Sequence, residues 1–207
     1  MRSLTAIFAL SLSLPLPAAA DCAGEIAALF DGGAWDPFTR ANRHEVTMSR
    51  APDGSETQVS EVFWDGPVKS INCSVNGCFL GIGAETWRSD TAEGPWTSIG
   101  STGIDDPEGF ARETRDLIAA SVSEPECLGT VDLDGVEALA YRFYSKPEPN
   151  RFGSWWGGRY TVWLTPDAAR ILRIELAEGI ASWAPEPAAD VQVTVVTEDP
   201  SIAIVAP

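Results

Sequence analysis

The chain has 207 residues, 44% of them hydrophobic and 21% charged, with 18 Gly and 15 Pro. This is a globular composition, and a chain of this length buries roughly 70% of its unfolded surface without a metal staple. Lys and Arg number 14 against 30 Asp and Glu, a net charge of −16. Such a field repels phosphate backbones and anionic membrane surfaces, which excludes nucleic acid as a partner. The single histidine, His44, excludes multi-histidine metal sites and paired-histidine acid/base chemistry.

Arg2 opens a short basic start, and Leu4 to Leu16 form an apolar run broken only by Ser, Thr and one Pro. Ala18-Ala19-Ala20 places small residues at −3 and −1 of a cleavage point before Asp21. The expectation is a signal peptide over residues 1–20 and one domain over 21–207. The run is too short for a membrane span. Asp21 directly before Cys22 argues against lipid attachment there. No later stretch has 18 uninterrupted apolar residues, so no transmembrane segment is expected. The expected location is the periplasm of a Gram-negative bacterium, or secretion from it.

Four cysteines remain, Cys22, Cys73, Cys78 and Cys127. An even number in an exported chain suggests two disulfides, and three pairings exist. Cys73-Ser-Val-Asn-Gly-Cys78 reads as a hairpin tip. A four-residue loop, Ser74 to Gly77, sets Cys73 opposite Cys78 and leaves Cys22 for Cys127. A two-residue Asn76-Gly77 turn would set Val75 opposite Cys78 instead.

Along the chain, Ala23 to Phe30 suits a short helix, with Ile26, Leu29 and Phe30 on one face. Strand patterns follow at Arg43–Ser49, where Val46 and Met48 share a face, and at Glu56–Trp64. Val68–Cys73 and Cys78–Ala84 pair as a hairpin, and Glu85–Trp96 carries two tryptophans around a polar tip. The period then changes. Asp105-Asp106-Pro107-Glu108 starts a helix that Pro125 is expected to stop. Phe110, Leu117, Ile118 and Val122 form its apolar stripe. Strands return at Leu128–Leu133 and Val136–Ser145, the latter with Leu139, Tyr141 and Phe143 on one face. They continue at Arg159–Thr165, Arg170–Leu176, Val191–Thr197 and Ile202–Val205. The predicted class is α+β: a single antiparallel sheet of roughly ten strands with two helices.

The second half carries a recognisable series: the turn Val131-Asp-Leu-Asp-Gly135, a strand with Tyr141 and Phe143, and a Gly/aromatic loop. Then come Tyr160-Thr-Val-Trp-Leu-Thr-Pro-Asp167, Ala169-Arg-Ile-Leu-Arg-Ile-Glu175 and the closing Glu198–Pro207. This series resembles the LolA-like and LppX-like superfamily of periplasmic lipoprotein carriers. The resemblance implies a curved half-barrel wrapping helices that close a hydrophobic cavity. The cysteines, the Trp155-Trp156-Gly157-Gly158 insertion and the acidic balance depart from it. They point to the same fold with a different ligand.

The function expected is non-enzymatic: shelter of a lipid, an acyl chain or another hydrophobic group, with no cofactor and no metal. Cavity candidates are Trp64, Phe79, Trp87, Tyr141, Phe143 and Trp163 on strands, and Phe110 and Leu117 on the second helix. Alternatively the chain is a sensory or assembly module that binds an envelope protein through Trp155 and Trp156. Asp132-Leu-Asp134-Gly135 lacks the further ligands of a calcium loop and reads as a turn. No nucleophile elbow, phosphate loop or His-Glu-x-x-His motif occurs, so no catalytic residue is assigned.

Overall fold

The computed structural model describes residues 19–207, with the side chains from Cys22 onward. Most of the expected signal peptide, residues 1–20, therefore lies outside the described residues. Helix α1 (Ala19–Phe30) precedes a run of six strands: β1 (Arg43–Arg50), β2 (Glu56–Trp64), β3 (Lys69–Ser74), β4 (Gly77–Ile82), β5 (Glu85–Ser89) and β6 (Thr97–Ser101). Helix α2 (Pro107–Ala120) leads to β7 (Val122–Leu133), β8 (Val136–Ser145), β9 (Trp156–Leu164), β10 (Ile171–Ala181) and β11 (Val191–Glu198).

The strands form one eleven-stranded sheet, ordered β6-β5-β4-β3-β2-β1-β11-β10-β9-β8-β7. It consists of two antiparallel meanders joined where the last strand pairs with the first, from Arg43↔Glu198 to Arg50↔Val191. The sheet does not close: β6 and β7 are its free edges. Because α2 connects those two edges, it crosses the mouth of the curved sheet. The architecture is an α+β half-barrel wrapping two helices.

The register identifies the concave face. Tyr141, Phe143, Val162, Tyr160 and Leu164 belong to one set of alternating positions on β8 and β9. They form the main core with Cys22, Ile26, Leu29 and Phe30 of α1. Phe143 lies at the centre, stacked on Tyr160 at 5.4 Å and edge-on to Phe30 at 6.0 Å and Trp35 at 5.7 Å. The Tyr141 hydroxyl donates to Glu25 at 2.8 Å. Burial, with that carboxylate beside it, pushes the phenol up to about 12.

The disulfides pair as Cys22–Cys127 and Cys73–Cys78. The first fastens α1 to edge strand β7. In the second hairpin Ser74 and Gly77 are themselves paired, so the loop is the two residues Val75–Asn76 rather than four. Cys73 still faces Cys78, because the tighter turn is centred on the same axis.

Three sequence expectations are corrected. Pro125 does not stop α2, which ends at Ala120 with Ser121 as its cap. Pro125 lies inside β7, where the register to β8 shifts between Ser123 and Glu126. An irregular edge strand tolerates a residue with no N–H. Ile202–Val205 joins no sheet ladder. Its backbone is satisfied instead by side chains: Ile204 N–H donates to Asp65 Oδ2 at 3.0 Å, and Asn42 Nδ2 donates to the Ile202 carbonyl at 2.8 Å. Val122 opens β7 rather than continuing the apolar stripe of α2; Thr97–Ser101 adds a strand, and the total of eleven agrees with the roughly ten expected.

Cys22–Cys127 spans 105 residues. Replacing both by Ser is expected to cost about 4–5 kcal/mol in the chain-entropy account, against about 2 for Cys73 and Cys78. Equilibrium denaturation of the two double variants checks this ordering.

Candidate ligand cavity

The concave face is built of unequal halves. On the β7–β11 side the inward positions are large and α1 fills the space above them. On the β1–β6 side one cross-strand row reads Arg43, Trp64, Ser70, Gly81, Thr86, Gly100. From Ser70 onward these side chains are small or absent, and of the described α1 side chains only the last, Phe30, lines the same space. Helix α2 lies above this row. Its residues Pro107, Phe110, Ala111, Thr114, Arg115 and Ile118 recur at helical spacing and turn one face towards the row. None of the fourteen α2 residues is fully buried. A cavity of about 440 Å³ remains between helix and sheet, completed by Phe30, Trp35, Ile104 and Trp156. That volume is within the usual range of small-molecule sites.

Helix α2 is positioned by polar contacts at several points. Asp106 caps its N-terminus, accepting from Gly109 N–H at 2.9 Å. Arg115 Nη1 donates to Asp36 Oδ2 at 2.8 Å. Burial raises Asp36, but the N–H groups of Phe38 and Gly32 and the Arg115 charge outweigh it and hold the carboxyl below its usual range. Glu113 pairs with Arg151, and the Ser121 and Ser145 hydroxyls meet at 2.6 Å.

The cavity's charged lining residues are Arg40, Arg43 and Arg115, with no Asp or Glu among them. Arg43 is 5% exposed and stacks over Trp64 at 4.8 Å. Behind the lining, Glu45 accepts from Arg43 Nε at 2.7 Å, Arg40 Nη2 at 3.0 Å and Trp64 Nε1 at 3.1 Å. Burial and the neighbouring Arg43 charge push Arg40 down to about 10. Burial raises Glu45, but Arg43 and Arg40 together hold it below the usual carboxylate range. Among the described residues no group of three or more His, Cys, Asp or Glu is placed to hold a metal ion.

Of the residues singled out from sequence, Trp64 and Phe110 line the cavity. Tyr141 and Phe143 are concave but lie under α1 in the main core. Leu117 points to a small space against Pro147, Trp155 and Trp156. Phe79 shares the inner parity but is 40% exposed, with Arg88 over its ring at 5.9 Å. Two tryptophans lie on the outer face. Trp87 follows the cavity residue Thr86 and pairs with Leu80. Trp163 falls between the buried Val162 and Leu164 and pairs with Ala140 and Arg173. Trp155 and Trp156 fold back against Leu117 and Ile118 of α2, and Lys146 Nζ lies 5.4 Å from the Trp155 ring. Gly157 permits the fold-back, since a Cβ there would lie 2.1 Å from the Ser145 carbonyl oxygen. Sequence reasoning missed Arg40, Arg43, Glu45 and Thr114. The available signal was Arg43 and Glu45 two apart on a strand, which puts both charges on one face.

No family model and no curated protein matches the sequence. Solved structures do match. The lipoprotein LppX of Mycobacterium tuberculosis superposes with a TM-score of 0.51 over 88% of this chain and 99% of its own, at 12% identity. LprF of Mycobacterium bovis gives 0.50 over 89% and 97%, at 14% identity. The fold is LppX-like. A LolA superfamily protein of Nitrosomonas europaea is 13% identical over 85% of this chain and 91% of its own, with a TM-score of 0.32. In this LppX-like half-barrel the cavity lies on the concave side, under the helix that joins the sheet's two edges.

Glu45→Gln leaves two guanidiniums buried without a carboxylate. The expected loss is about 3–5 kcal/mol at neutral pH, read by denaturant unfolding. The Glu45 carboxyl is depressed in the fold, so its contribution is present above its ordinary value of 4.5 and is lost as pH falls through the depressed one. The variant should therefore lose less stability than the natural chain on acidification below pH 4.5.

Proposed function

We propose that the protein is a non-enzymatic, extracytoplasmic binding protein that shelters a hydrophobic ligand, such as a lipid or acyl chain, between α2 and β1–β6. The observation that carries this reading is the unfilled space above Ser70, Gly81 and Thr86, roofed by a helix that buries none of its own residues. A packed core would fill this space, because dispersion contacts and apolar burial favour filling it. Each ligand methylene taken from water contributes about 0.8 kcal/mol. The LppX-like fold supports the reading, and the two disulfides fit an oxidising compartment. Among the described residues no helix is long and apolar enough to cross a membrane. Entry and release proceed by displacement of α2, which is held by the Arg115–Asp36 and Glu113–Arg151 pairs, the Ser121–Ser145 hydroxyls and the partly buried Ile118 and Ala119.

Gly81 supplies the test. A Cβ built there meets only Ser70 Oγ, at 3.9 Å. Gly81→Leu should therefore fit without backbone strain and occupy the space meant for ligand. The variant should keep the Tm and both disulfides but carry no lipid mass in native mass spectrometry after detergent-free purification. It should also lose binding of an apolar fluorophore such as N-phenyl-1-naphthylamine. Undiminished cargo and dye binding would remove the cavity from the function.

A further inference from the structure

We infer that the ligand is an anionic amphiphile whose single charged headgroup, a carboxylate or a phosphate, is held at the Arg40–Arg43 pair. The inference rests on the cavity reading above and specifies the class of molecule it takes. Three observations carry it.

The first is local charge. The protein has 30 acids to 14 bases, yet only arginines charge this cavity. Arg115 is matched by Asp36 at 2.8 Å and Asp116 at 2.7 Å. Arg40 and Arg43 share one carboxylate, Glu45. The next acid along the wall, Glu198, pairs with Arg170 at 3.6 Å and acts on Arg40 only at a distance, without a salt bridge. The two buried guanidiniums thus have one directly paired carboxylate between them, in a desolvated setting where an added anion interacts most strongly.

The second is an incomplete hydrogen-bond count. Among the described residues two buried side-chain polar atoms have no partner, Arg43 Nη1 and Thr114 Oγ1, and both residues line the cavity. A buried donor left unpaired is costly, and a charged acceptor relieves it best.

The third is placement. Arg40 and Arg43 also line a second space of about 400 Å³, shared with Thr39, Arg170 and Glu198. The pair therefore forms the wall between an apolar compartment and one of mixed lining, where Ala34, Ile171 and Val196 stand beside Thr39, Arg170 and Glu198. A tail occupies the first, the charge meets the guanidiniums at the boundary, and any further polar headgroup atoms extend into the second.

The test uses the delipidated, oxidised mature chain and four probes: oleate, methyl oleate, dioleoyl phosphatidate and dioleoylglycerol. Binding is read by displacement of the naphthylamine dye. The anionic member of one pair or both should bind about tenfold tighter than its neutral partner, the scale of one charge-assisted hydrogen bond. Preference within the oleate pair identifies a carboxylate site, and preference within the phosphatidate pair alone identifies a phosphate site. Arg43→Met keeps an aliphatic stem over Trp64 and leaves Arg40 and Glu45 as a balanced pair. It should lose the anionic preference, the affinity ratio within each pair falling to about one. Should that variant fail to fold, Arg40→Met leaves Arg43 balanced with Glu45 and carries the same expectation. Equal affinity for the charged and neutral members of both pairs overturns the headgroup assignment while leaving a hydrophobic carrier. Dye and probes all failing to bind overturns the cavity reading itself.

Discussion

The structure depends on one geometric constraint: an open sheet of eleven strands has a single concave face to bury and two short helices to bury it with. At about 4.8 Å per strand the sheet is roughly 48 Å wide, whereas α2, at 1.5 Å per residue, is only about 21 Å long. A flat sheet would leave that helix and its short linkers unable to join the two edges. The sheet therefore curls, and α2 spans the mouth of the curl. Helix α1, anchored by Cys22–Cys127 and its contacts with Phe143, fills one half of the bowl. Nothing comparable remains for the other half. The cavity is what this architecture leaves once its helices are used, and the small inward residues Ser70, Gly81 and Thr86 keep it open.

The two halves also differ in how firmly they are built. Between α1 and β8–β9 the contacts are aromatic and fully enclosed: Phe143, Val162 and Leu164 are 0% exposed. Helix α2 has no fully buried residue; it is held by Arg115, Glu113 and Ser121 and by the partly buried Ile118 and Ala119 at the core's edge. Elements with few buried apolar contacts open at lower free energy than the core. The less firmly packed helix and the rigid scaffold are thus separated along the sheet, with the cavity between them.

Much of this was legible in the sequence because turns and period-2 alternation mark strands regardless of which face is inside. The Asp106-Pro107 start located α2, and the Cys73–Cys78 hairpin favoured the pairing found, through a longer loop than the one observed. Faces were harder. Leu139, Tyr141 and Phe143 are inward and apolar, so pattern and position agree there. On β9 the large Trp163 is outward and the smaller Val162 inward, since Val162 faces α1. On β1 the apolar set Val46 and Met48 faces away from the cavity, while Arg43 and Glu45 turn towards the cavity side. A half-filled concave face does not select apolar residues at every position. The alternation that identifies a core strand therefore misleads at a binding wall. Pro125 and Ile202–Val205 misled for another reason: an irregular edge strand tolerates the proline, and a side-chain donor and a side-chain acceptor, Asn42 and Asp65, take the place of a ladder at the C-terminal segment.

The protein's strong negative charge and its cationic cavity do not conflict, because they act over different distances. Across about 8 Å of physiological electrolyte the field of the surface acids is largely screened. It still disfavours approach to extended anionic surfaces, where many charges add. A single anionic molecule that reaches the interior leaves that electrolyte behind and meets Arg40 and Arg43 in a medium of lower dielectric, where an unscreened contact outweighs several distant repulsions. The net charge then governs which surfaces the protein avoids, and the buried arginines govern which molecule it keeps. Glu45 is the element that makes this workable. It is the one carboxylate that pairs directly with both arginines, so the wall keeps donors for an anion without leaving two guanidiniums unpaired.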